Sequence, residues 1–430
     1  MRRNEYVILL LLFIGVGLHS CFSSKNNDQV YVKRAYAQST SFYDVGFVKD
    51  TSKFTKRLLR GECRKVDNFF YNEEYPFLHE KKTIRVNFHF VNSKDSTHNF
   101  NPDKGVKYAQ QLVYYANGKL RENPKMKLPE GNDTPVHPIP FRYKLMDDEK
   151  GPENKAIYFH YLDDPFFVNS GKNSNNYDRT LINELAIGSD SILNIFYMVH
   201  HPDSVKSKKY KSTAAGIALG HSVKLGINGS KKVNPWTHAG LLNHEIGHVL
   251  SLHHSWIRND GCDDTPPHPN CWNKGPSPCD GTISNNVMDY NSTQVAYSPC
   301  QIAKTYNLMM NEKSSKRNLV IKDWCTYKKE KTVVVRDTQI WSRGVDICGD
   351  IIIEENGLLM SNCFINMPEK SKILIKGGGK LVLNNATIKN DCDRDWQGIF
   401  VEESSKSVGY VSFIDTFYLE NAGVGGELID

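Results

Sequence analysis

The stretch LLNHEIGHVLSLHHSW, Leu241 to Trp256, places two histidines four residues apart with a glutamate directly after the first. Positions i and i+4 stack on one helix face, so His244 and His248 can offer two imidazole nitrogens to one ion. Zinc suits imidazole, and a catalytic zinc keeps three protein ligands and a water. Glu245 stands where its carboxylate can reach that water, first as general base and then as acid toward a leaving amine. A buried helix whose histidines are merely hydrogen-bonded carries the same short pattern, so the motif alone leaves both readings open.

A third ligand decides between them. On a continuing helix His254 would lie about 240° around the axis from His248, far from the metal face. It becomes a ligand only if the chain leaves the helix near Ser251 and turns back. The spacing His244-Glu245-x-x-His248-x-x-Ser251-x-x-His254 resembles the extended zinc motif of the metzincins, HExxHxxGxxH. Ser251 replaces the family's glycine, at a turn needing positive φ that strains other residues by about 1 kcal/mol. His253 is the rival third ligand.

Downstream, Asp260 to Cys300 is turn-rich and carries four cysteines, and near its end stands NNVMDY, Asn285 to Tyr290. This resembles the metzincin Met-turn, and together with Asp264-Thr265-Pro266 and the four cysteines it resembles the pappalysin branch. The resemblance runs from about Lys81 to Lys313. It implies an exported zinc endopeptidase with His244, His248 and His254 on the metal and Glu245 as general base. It implies Tyr290 beside the oxyanion of the tetrahedral intermediate and Met288 as the floor of the site. It further implies disulfides Cys262–Cys279 and Cys271–Cys300, where sequence alone allows three pairings among these four cysteines, and calcium near Asp260, Asp263 and Asp264. The substrate would be a protein or peptide lying extended along the edge strand of a sheet.

The flanking patterns point to an α+β fold, with a metzincin-like twisted mixed sheet. Thr83–Val91, Ile139–Leu145, Ala156–Leu162 and Ser191–His201 read as strands, and Gly105–Leu120 as a helix with Gly118 near its end. Ala214–Gly229 reads as loop and strand leading into the active-site helix. A zinc metalloprotease domain is expected over 81–325.

The N-terminus begins with Arg2 and Arg3, then an apolar run from Val7 to Leu18, then LHSC ending at Cys21. Residues 1–21 fit a secretory signal, too short for a comfortable membrane span. Its end resembles a bacterial lipobox with His19 as an atypical residue. This implies a lipid on Cys21 and a membrane partner in the cell envelope or at the cell surface; simple secretion is the alternative. Residues 22–80 would then be tether and pro-segment. The net charge of +6 is spread along the chain with no basic stripe interleaved with aromatics, which argues against nucleic acid.

The chain has ten cysteines, so nine remain if Cys21 is acylated, an odd number. Cys63 is either a thiolate that would occupy the zinc's open position and silence a precursor, or half of a disulfide to a distant partner. The pairing of Cys325, Cys348, Cys363 and Cys392 is open.

From residue 326 to 430 short β-branched runs alternate with Gly turns and Asn-rich corners. Repeats of roughly 20 residues suggest about three coils of a parallel β-helix, its last edge exposed; a small β-sandwich is the runner-up. No acidic or basic cluster gives this module a chemistry of its own. The rival functions are an inactive protease-like surface binding or adhesion protein and a β-helix carbohydrate-binding protein.

Overall fold

Ile84, Val86, Phe88 and Phe90 alternate along one face of a long strand and are wholly inaccessible to solvent. That strand is the spine of the first sheet. The computed structural model describes residues 31–34, 63–95, 100–146, 156–206, 215–227, 234–257, 259–269, 271, 282–291, 293–414 and 417–422. The expected signal segment, Cys21 and Cys279 lie outside them.

One short strand, β1 (Tyr31–Arg34), precedes the sheet. The sheet is built on β2 (Lys82–Ser93), whose first half pairs with β3 (Phe141–Leu145) and whose second half pairs with β4 (Ile157–Leu162). A two-residue strand, β5 (Phe166–Phe167), pairs with β6 (Leu193–His200), the other neighbour of β2. A hairpin of β7 (Ala215–Leu219) and β8 (Ser222–Ile227) finishes the order β3-β2-β6-β8-β7. All pairings are parallel except β7 with β8, so the edge strand runs against the rest. Interior parallel strands are covered on both faces, which suits the largely apolar β6.

Helix α1 (Pro102–Glu122) starts at Asn101, whose side chain accepts from the Lys104 amide, and passes through Gly118 to end at Asn123. Short helices α2 (Thr180–Leu185) and α3 (Pro202–Lys206) follow. Helix α4 (Pro235–Val249) carries the histidine motif, and α5 (Pro299–Met310) closes this half with a capping box between Ser298 and Gln301. Leu112, Ala116, Leu242 and Ile246 join Ile84, Phe88 and Ile195 in one core.

The C-terminal module is a parallel β-helix of four coils, one more than the repeat length suggested. The coils contain β9 (Val333–Val335), β10 (Thr338–Trp341) and β11 (Val345–Asp346); β12 (Ile351–Ile353), β13 (Leu358–Ser361) and β14 (Phe364–Asn366); β15 (Lys372–Ile375), β16 (Lys380–Asn384) and β17 (Thr387–Lys389); and β18 (Gly398–Glu403), β19 (Tyr410–Ile414) and β20 (Tyr418–Leu419). Val333, Ile351, Ile373 and Ile399 stack in register, so successive coils take 18, 22 and 26 residues. This widening blurs the repeat in the sequence. Asn356, Asn385 and Asn421 take the left-handed conformation, with φ of 67°, 53° and 57°.

The stretch expected to be tether and pro-segment belongs in part to this module. β1 pairs antiparallel with β18, so the last edge of one of the three sheets is covered rather than exposed. At the other end Phe77 and Leu78 pack against the β-helix core, with the Phe77 ring 5.7 Å from Trp341. Phe69 meanwhile lies in the core of the first sheet. Of the two readings of Cys63 the structure has the second, a disulfide to a distant partner rather than a thiolate: Cys63 is bonded to Cys363 of the second coil. Cys325–Cys392 is a second covalent tie between the halves, and Cys348 is the free cysteine among the described residues. Lys82, at the start of β2, is buried against Asp346. A chain nicked between residues 64 and 81 should therefore migrate as one band on a non-reducing gel and as two after reduction. Two bands without reductant would contradict this arrangement.

His79, His89 and His238 are each pushed down to about 4, chiefly by burial. The unfolded chain takes up these protons near the ordinary 6.5, so between 6.5 and 4 it binds more protons than the folded protein. Their contribution to stability is complete above that window and is lost as pH falls through it. The urea midpoint should drop steadily across the window, and less so in His89→Gln; a flat midpoint would contradict the assignment.

Candidate metal centre

Helix α4 is set by Asn234, whose side chain accepts from the Trp236 amide, with Pro235 in the first turn. Its C-terminus decides the site. The Leu252 amide donates to the Gly247 carbonyl and the Ser251 amide to the His248 carbonyl, each at 2.9 Å. These two bonds form a Schellman motif with Ser251 as its left-handed residue, at φ 62°. The chain thus doubles back and brings His254 to the face of His244 and His248. Ser251→Gly should be neutral or stabilising by up to about 1 kcal/mol, because glycine relieves the positive φ. A lowered melting temperature would contradict that.

The His244 and His248 Nε2 atoms are 3.2 Å apart, and those of His248 and His254 3.0 Å. His244 Nδ1 lies 2.7 Å from the Val287 carbonyl and His248 Nδ1 2.8 Å from that of Leu252. A carbonyl only accepts, so both Nδ1 atoms carry the proton and both Nε2 atoms present lone pairs. Two lone pairs facing each other at this distance repel unless a cation lies between them. Burial pushes His244 down to about 3 and His254 to about 4, and lowers His248, so all three are neutral ligands at pH 7. The donor set fits a zinc. His253 is exposed and outside the cluster.

Glu245 is 4 % exposed, and its carboxylate rests on Gly216 of β7. A Cβ on that glycine would be 2.4 Å from Glu245 Oε1. Burial pushes Glu245 up to about 8; a neighbouring divalent cation would draw it back down. Met288 lies beneath the helix, fully buried, and a Cβ at Gly247 would stand 2.5 Å from its sulfur. The turn that carries it is held by hydrogen bonds. The Met288 amide donates to Asn286 Oδ1, and the Asn286 and Gln301 amides bond reciprocally at 3.0 and 3.1 Å. Asp289 accepts from Ser255 and Ser284 and lies 3.0 Å from His268 Nε2. The Tyr290 ring is 4.6 Å from that of His254, and Trp256 stacks on His254 at 5.4 Å.

One expectation needs correction. Cys262 bonds Cys300, so neither Cys262–Cys279 nor Cys271–Cys300 forms; Cys271 is bonded to a partner outside the described residues. Two of the three carboxylates named with calcium accept from protein donors. Asp260 accepts from the Cys262 amide and the Thr265 hydroxyl, Asp264 accepts from the Ser298 hydroxyl and the Cys300 amide, and Asp263 is exposed. Asp264 thereby caps α5, a structural task.

Sequence reading missed Gly216, Gly247, Trp256 and Asp289. Of these only Gly247 left a signal, as a glycine inside a helix with a methionine expected beneath it.

No protein-family model matches the chain, and no curated protein matches it. Among solved structures it is similar to mature mirolysin of Tannerella forsythia in complex with a cleaved peptide, at 17 % identity and TM-score 0.40, over 56 % of this chain and 96 % of that one. It is similar to mirolysin in complex with compound 9 at 18 % identity and TM-score 0.40, over 56 % and 97 %. Promirolysin of Tannerella forsythia in a mutant form gives 15 % identity and TM-score 0.39, over 63 % and 93 %. These likenesses are too distant to carry a function, which rests on the geometry of the site.

Proposed function

We propose that the chain is an exported zinc-dependent endopeptidase of the pappalysin type, with His244, His248 and His254 as its metal ligands. The observation that carries this reading is the convergence of three neutral imidazoles, two with their Nδ1 protons committed to carbonyls, beside a buried carboxylate. A zinc held there would polarise a peptide carbonyl and acidify a water. Glu245 takes the proton of the attacking water and returns it to the leaving nitrogen, from a position fixed by Gly216. The Tyr290 phenol donates to the developing oxyanion, and Met288 fixes the height of the helix. β7, the edge strand of its sheet among the described residues, is where an extended substrate would lie through main-chain hydrogen bonds.

Export and a lipid on Cys21 remain part of the proposal; no described helix is long and apolar enough to cross a membrane. Denatured casein tests the activity. It should be cleaved, the cleavage should stop with a zinc chelator, and added zinc should restore it. Cleavage indifferent to the chelator would refute a metal mechanism, and no cleavage at any zinc level would favour a binding protein.

A further inference from the structure

The three histidines of the candidate metal centre are not held alike. A metal-bound imidazole is ordinarily oriented by a hydrogen bond on its other ring nitrogen. His244 and His248 follow that rule, each with its Nδ1 tied to a backbone carbonyl. His254 stands off the helix, beyond the turn at Ser251. The chain on either side of it is pinned: Leu252 is buried in the core, and the Ser255 hydroxyl donates to Asp289 at 2.6 Å. The ring itself lacks such a tie. Its Nε2 faces His248, and its Nδ1 has no hydrogen-bond partner among the described residues.

What meets that ring is Trp256. The two rings are 5.4 Å apart and only 14° from parallel, and Tyr290 borders both, 4.6 Å from His254 and 5.8 Å from Trp256. The indole N–H of Trp256 is buried and has no acceptor. A buried donor left unpaired costs stability, so hydrogen bonding does not account for a tryptophan here. Its flat contact with His254 does.

We propose that Trp256 is a positioning residue for the metal: its face holds the His254 imidazole so that Nε2 points at the ion. It does by stacking what the Val287 and Leu252 carbonyls do for His244 and His248 by hydrogen bonding. This rests on the reading of the three histidines as a zinc centre. A ligand free to turn must lose that freedom when the ion binds, and a ligand already stacked in place has less to lose.

The test is zinc affinity, read by competition with a chromophoric chelator and with no substrate present. Trp256→Ala should weaken zinc binding roughly tenfold, the lower end of what losing an outer partner of a zinc-bound imidazole does. Trp256→Leu, which keeps apolar bulk without a flat ring, should weaken it as much and decides the matter if the alanine variant does not fold. Trp256→Phe keeps a flat ring and should bind zinc as the wild type does. A double-mutant cycle separates positioning from a general loosening of the site: once His254→Ala is in place, adding Trp256→Leu should weaken binding no further. Wild-type affinity in Trp256→Leu, or the same loss with and without His254, overturns this inference alone. A wild type that binds no zinc overturns the metal centre and this inference with it.

Discussion

Glu245→Ala should keep its zinc and lose turnover by roughly a hundredfold to ten-thousandfold, the usual reach of a positioned general base. The residue is no ligand: the described cluster is His244, His248 and His254, while the carboxylate of Glu245 rests on Gly216. Removing it takes away the proton carrier and leaves the three imidazoles in place. Glu245→Gln keeps the packing against β7 and should be equally slow, which separates loss of the proton carrier from loss of shape. Zinc content and casein cleavage measured together check both variants. Wild-type rates in either would remove Glu245 from the mechanism.

Asp346→Ala should destabilise the protein by about 3–5 kcal/mol, the typical consequence of leaving a buried charge unpaired. Asp346 lies at the joint of the two halves, with a side chain 1 % exposed. Lys82 of β2 reaches it at 2.5 Å, Arg317 at 2.8 Å, and the Asn366 amide donates to it at 2.6 Å. Burial alone would raise this carboxyl, but Arg317 and then Lys82 outweigh it and hold it well below the ordinary carboxylate range. Alanine would strand Lys82 beside Trp324 and leave Asp391 as the remaining carboxylate partner of Arg317. Because the folded value is depressed, the stability Asp346 supplies is present above the ordinary 3.8 and is lost as pH falls below it. Urea unfolding at neutral pH checks the magnitude; a midpoint equal to the wild type's would show that the cluster does not hold the joint.

The candidate site was legible because its chemistry is local. His244, Glu245, His248 and His254 fall within eleven residues, and their spacing alone predicts both the helix face and the need for a turn at Ser251. The strands were legible for a related reason: β2 alternates apolar residues along one face, and β6 is an apolar stretch buried on both faces. What failed depends on distant contacts. Cys63 and Cys363 are 300 residues apart, and nothing in RGEC points to the second coil of a β-helix. Cys262 could equally meet any cysteine of its loop, and the structure chose Cys300 by docking that loop onto the start of α5, where Asp264 accepts from the Cys300 amide.

The central claim is that three histidines hold one zinc with a position left open, and X-ray absorption at the zinc edge of the metal-loaded protein tests it most directly. The account predicts three imidazole nitrogens at about 2.0–2.1 Å and one light oxygen ligand in the same shell, falling to two imidazoles in His254→Ala. A sulfur ligand near 2.3 Å, or an unchanged spectrum in His254→Ala, would contradict it.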